Sequence, residues 1–163
     1  MGIFALSSDS RKNKKDMTGT VSDPATRARV QQLHAFLNDC AGSAACEEGD
    51  RVRDAMRLLG GSGPDASGPL DMAMLETMLD GGAAVAAAIA IVGRESCFML
   101  SRGSGNVCLA SIAPVGAGDD VTAQGPTLAL ALLAAHVETV LGRLEGGHVG
   151  AVAAVQGSAA RLH

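Results

Sequence analysis

The stretch AVAAAIAIVGRESCFMLSRGSGNVCLASI, residues 84–112, decides the fold, because three apolar runs are separated there by two glycine-led turns. A two-residue hairpin loop with glycine in its first central position matches the twist of the strands it joins. Gly93-Arg94 and Gly103-Ser104 both meet that requirement. The runs therefore read as an antiparallel meander with strands at 84–92, 95–102 and 106–112. In that register residue 92 opposes 95 and residue 102 opposes 105. One face collects Val85, Ile89, Ile91, Phe98, Leu100, Val107 and Leu109. The other collects Cys97, Met99, Cys108, Ala110, Ile112 and the alanines of the first run. Two apolar faces predict a sheet covered on both sides, with a helix close against the small-residue face.

That helix is read directly after the meander. Gly125-Pro126 opens a segment, about 126–144, composed almost wholly of Leu, Ala and Val. His136, Thr139 and Arg143, with Glu138 beside them, are its few polar positions. Such a helix is buried around most of its circumference. Gly146-Gly147 predicts its end, with an edge strand or a tail over 147–163.

Working toward the N-terminus, residues 70–79 read as a short helix with Leu70, Met74, Leu75 and Met78 on one side. The stretch GGSGPDASGP, residues 60–69, is a linker by composition. Before it, residues 47–59 form a helix whose stripe is Val52, Ala55, Met56 and Leu59. Ser22-Asp23-Pro24 supplies an N-cap and a first-turn proline for another helix carrying Val30, Leu33 and Leu37. Residues 1–21 are polar, without period, and read as a disordered basic tail. Met1-Gly2 resembles a myristoylation start, but position six is Leu6 and Ser7 comes one place late. The expected architecture is a single α+β domain over 22–163: N-terminal helices, a three-stranded antiparallel meander at about 84–112, and a long apolar C-terminal helix.

Composition narrows the function classes. The 163 residues include no Trp, no Tyr and three Phe, against 21 Gly. Without aromatic platforms, base stacking is disfavoured. Arg11, Lys12, Lys14 and Lys15 hold four of the 13 basic residues, which leaves nine against 17 acidic ones, a net −8, for the remainder. An acidic body argues against nucleic acid as partner. No apolar run reaches the length of a membrane span, and four cysteines without a leader pattern predict reduced thiols in the cytoplasm.

Chemistry-bearing residues are sparse. Cys40 and Cys46 flank AGSAA, a spacing suited to a reversible thiol pair better than to zinc, whose ligands pair at two to four residues. Cys97 and Cys108 fall on one sheet face as diagonal neighbours, too far apart for a relaxed disulfide. Asp119-Asp120 forms either an oxygen site for a divalent cation or a solvated turn before a helix. His136 has no sequence-visible nucleophile or orienting group. The GxxxxGK[ST], GxGxxG, GxSxG and HExxH patterns are absent from the sequence. The expectation is a non-catalytic interaction or regulatory module that self-associates as a homo-oligomer through an apolar sheet or helix surface, with no cofactor and no metal. The alternative is a small-molecule sensing domain with its cavity between sheet and helices, lined by Met74, Met78, Cys97 and Met99. A small enzyme is the third reading.

Overall fold

Proline fixes the first turn of α1 (Pro24–Gly42), and the carbonyl of Asp23 accepts the Arg27 amide at 3.0 Å. This computed structural model describes residues 23–60, 70–94, 96–114 and 119–153. The basic tail at 1–21 and most of the 60–69 linker therefore lie outside the described residues. Helix α1 buries Leu33, Phe36 and Cys40 along one stripe, with Val30 and Leu37 half-buried beside them. A short 3-10 turn at Ala45–Glu47 leads into α2 (Glu48–Leu59), which buries Val52, Ala55 and Met56 at helical spacing. Helix α3 (Met72–Asp80) is capped by the Asp71 carboxylate, which accepts the Met74 amide at 3.0 Å. Arg53 on α2 donates from Nε to Glu76 of α3 at 2.9 Å, and its Nη2 lies 3.5 Å from Asp80. Glu76 thereby ties the two helices at the surface.

Residues 84–92 correct the strand expected there: they form helix α4 (Ala84–Val92). Short apolar runs carry no decisive period, and alanine, which fills most of this one, has the highest helix propensity. The buried residues Ala84, Ala87, Ala88 and Ile91 follow the three- and four-residue spacing of a helix face. Gly93 ends the helix with φ 77°, its amide donating to the Ile89 carbonyl at 3.0 Å. The glycine expected to turn a hairpin instead stops a helix.

The meander itself exists, displaced along the chain. Strands β1 (Ser96–Arg102), β2 (Cys108–Pro114) and β3 (Val121–Gly125) form an antiparallel sheet in the order β1-β2-β3. The third strand lies between the Asp119-Asp120 turn and the helix start expected at Gly125-Pro126, where the sequence predicts no element. Its alternation of Val121, Ala123 and Gly125 with Thr122 and Gln124 suits a half-buried edge strand.

The first hairpin also differs in register. Arg102 pairs with Cys108 and Cys97 with Ala113, so the connection spans Gly103 to Val107. Gly105 at φ 79° and Asn106 at φ 62° supply its left-handed turn, and the Gly103 amide donates to the Val107 carbonyl at 2.8 Å. Compared with the expected pairing of Cys97 and Ala110, the shift is an odd number of residues. An odd shift moves one strand's side chains to the other face. Cys97 and Met99 therefore lie on the face opposite Cys108, Ala110 and Ile112, which corrects the diagonal cysteine pair.

Helix α5 (Leu128–Ala153) continues through Gly146-Gly147, so residues 148–153, expected as edge strand or tail, are helical. Thr127 starts it: its hydroxyl accepts the Leu130 amide at 3.2 Å and its carbonyl accepts the Ala131 amide at 3.0 Å. Residues 129–135 are buried without a break, followed by Val137, Thr139, Val140 and Leu141. The sheet packs on one side of α5, while α1, α2 and α4 pack on others. The molecule is thus an α+β fold in three layers, with α5 as the middle one. The expected close helix is confirmed, against the small residues Cys108, Ala110 and Ala123.

Gly125 marks the closest approach. A Cβ there would lie 2.7 Å from the Ala131 amide nitrogen and 3.1 Å from its Cα, both backbone atoms that cannot step aside. We expect Gly125→Ala to destabilise the protein by roughly 1–3 kcal/mol through overpacking. Gly82→Ala, where nothing lies within 4 Å but φ is 73°, is expected to act through backbone strain alone and cost about 1 kcal/mol. Urea denaturation of the two variants measures both.

Candidate functional site

Three places hold groups with chemical potential: the junction of α1 with α2, the polar positions of α5, and the outer side of β1.

At the first, Cys40 lies in the last turn of α1 and Cys46 in the 3-10 turn. Both are free thiols, Cys40 buried and Cys46 exposed. Arg51 of α2 reaches Asp54 at 2.9 Å and Asp39 of α1 at 3.7 Å, while Arg57 also pairs with Asp54 at 2.8 Å. The Arg51 Nε is buried without a hydrogen-bond partner among the described residues. The guanidinium beside Cys40 favours a thiolate, yet burial outweighs it and pushes the thiol up to about 12. Cys40 is therefore protonated at neutral pH and poorly nucleophilic. The sequence reading missed this cluster. The Arg51–Asp54 spacing was visible in α2, whereas the link to Asp39 exists only once the helices pack.

On α5 the polar positions lie on more than one side. His136 and Arg143 are seven residues apart on one side, and Glu138 and Glu145 are seven apart on the other, because seven residues make about two turns. Glu145 reaches His34 of α1 at 3.6 Å, an exposed contact. Thr139 turns inward, and its hydroxyl donates to the Ala135 carbonyl at 2.9 Å. His136 is half-buried, and its Nδ1 is buried without a hydrogen-bond partner among the described residues. Burial, helped by the Arg143 charge, lowers its pKa to about 4. A neutral imidazole of this kind could accept a proton only weakly at neutral pH. Partial burial raises the Glu138 pKa.

Of the four residues expected to line a cavity, Met74 and Met78 sit one turn apart on α3, Met74 exposed and Met78 half-buried. Cys97 and Met99 share the open face of β1. Each pair is brought together, but α3 packs on α2 and α4, whereas β1 packs on β2 and α5. Between the sheet and α1, α2 and α4 lies α5. Asp119 and Asp120 are exposed and precede β3, a strand, where a helix was expected. Among the described residues, no group of three or more His, Cys, Asp and Glu is placed to hold a metal ion.

The outer side of β1 is the most exposed apolar surface of the sheet. Met99 is 68% exposed and Phe98, at the margin of the opposite face, 37%. On the same open face as Met99, β2 and β3 carry Leu109 and a hydroxyl pair, Ser111 and Thr122, at 2.8 Å. Among the described residues, β1 has a strand neighbour on one side only.

Two measurements follow from these placements. His136 has a folded pKa below its ordinary 6.5, so the unfolded chain binds its proton first as pH falls. Stability is then full above about pH 6.5 and declines until about pH 4, by on the order of 2–3 kcal/mol. His136→Gln is expected to flatten that portion of the stability–pH curve, read as urea midpoints between pH 4 and 7. In native protein, alkylation is expected to modify Cys46 within minutes, while Cys40 and Cys108 react only after unfolding. Mass spectrometry of peptides from timed samples distinguishes them.

Compared with protein-family models, curated proteins and solved structures, the chain matches none.

Proposed function

We propose that this protein is a non-catalytic interaction or regulatory module that self-associates through the exposed apolar margin of its sheet. One observation carries the reading: β1, a strand with no charge between Ser96 and Ser101, has Met99 68% exposed and lacks a strand neighbour on one side among the described residues. An unpaired strand edge of this kind readily accepts another strand. Of the two surfaces expected to associate, the apolar helix is already covered from several sides within the chain, so the sheet remains. The chemistry on α5 and at Cys40 supports the non-catalytic part, since the buried thiol and the low-pKa imidazole are both poor reactants at neutral pH. Four free cysteines support a reducing, cytoplasmic setting. No helix among the described residues is long and apolar enough to cross a membrane.

Native mass spectrometry of the purified full chain tests the proposal. A dimer without added mass is expected, dissociating on dilution. A monomer at all concentrations contradicts it. A retained small molecule would favour the sensing alternative and direct attention to the Met74–Met78 and Cys97–Met99 pairs.

A further inference from the structure

The two edges of the sheet are unequal. The β3 edge has five residues and is flanked by Asp119-Asp120 before it and Pro126 after it. Charge and proline at an edge discourage added strands. The β1 edge has seven residues, no proline, and Arg102 only at its last position. A further strand is thus expected at β1.

A second copy of this chain fits that edge under a strict geometric condition. A closed dimer needs a surface complementary to itself, with residue i touching j and j touching i. When two antiparallel strands continue one sheet, opposed residues share a face. For two copies of the same strand, the two-fold axis must therefore pass through a residue and cannot fall between two. Centring it on Phe98 leaves Ser101 and Arg102 without strand residues opposite them, because β1 begins at Ser96. Centring it on Cys97 or Leu100 leaves part of the strand unpaired.

Centring it on Met99, the midpoint of β1, pairs all seven residues. Met99 then opposes the partner's Met99, Phe98 opposes the partner's Leu100, Cys97 the partner's Ser101, and Ser96 the partner's Arg102. This register covers both exposed apolar residues of β1 and opposes no like charges. We infer that two copies join through antiparallel β1–β1 pairing about Met99, giving one continuous six-stranded sheet with an α5 behind each half. The inference rests on the self-association proposed above and names its surface and register.

Disulfide trapping tests it in the full chain with Cys46 and Cys97 changed to Ser. Met99→Cys places two thiols directly opposite each other, about 4.5–5.5 Å apart at Cα and within disulfide range. It is expected to give a covalent dimer under mild oxidation. Gln124→Cys, exposed on the other edge strand, is expected to remain uncrosslinked. Met99→Lys sets two ammonium groups at the axis and is expected to raise the dissociation constant at least about tenfold. Both Met99 variants replace an exposed side chain, so circular dichroism should match the parent. If the parent is dimeric yet Met99→Cys crosslinks no more than Gln124→Cys and Met99→Lys leaves the dimer intact, the β1 pairing is wrong and self-association stands. If the parent is monomeric, both fall.

Discussion

The burial of α5 on nearly every side between Ala129 and Leu141 is the constraint on which the rest of this structure depends. A helix with one apolar stripe needs one covering layer, whereas the continuous run from Ala129 to Ala135 needs several. The sheet supplies one cover and α1, α2 and α4 supply the others. The small residues of the sheet follow from that arrangement. Cys108, Ala110, Ala123 and Gly125 keep the strands close to the helix backbone, and the contact at Gly125 leaves no room for even a methyl group. With almost no aromatic residues, the core is thin, and close approach replaces bulk as the source of packing density.

The same constraint distributes the polar chemistry. Because α5 is enclosed, the space between sheet and N-terminal helices holds a packed helix, and the methionines and cysteine expected to line it are found in two separate pairs at the periphery. His136 is held among apolar residues of the enclosed helix, which explains both its unpartnered Nδ1 and its low pKa. Cys40 lies under the α1–α2 junction, where burial dominates over the neighbouring guanidinium. In both cases desolvation suppresses reactivity, while the thiols of Cys46 and Cys97 and the apolar strand edge of β1 face outward.

Much of this architecture was legible in the residues. Helical spacing located α1, α2 and α3 to within a few positions, and the density of Leu, Ala and Val marked α5 as enclosed. The run at 84–92 was not legible as a helix by alternation alone, since Val85, Ile89 and Ile91 fit a strand face as well as they fit a helix. Its alanines were the stronger signal. A strand expected at 84–92 completes a three-stranded meander too early, so the alternating pattern of Val121–Gly125 carries no expected element although it forms β3. The hairpin register depended on Gly105 and Asn106 adopting left-handed conformations together, which makes a five-residue connection and reverses the face of Cys97 and Met99. Local turn chemistry alone does not separate that loop from a two-residue one, and the face of every residue in β1 hangs on the difference.

Hydrogen exchange resolved along α5 tests the central claim most directly. If the other layers fold around this helix, the amides from Leu132 to Leu141 exchange only through global unfolding, with opening free energies equal to the stability measured by denaturant. The outer helix α3 opens at lower cost. Exchange of the middle of α5 at a free energy well below global stability, with α1, α2 and the sheet still protected, would contradict the account.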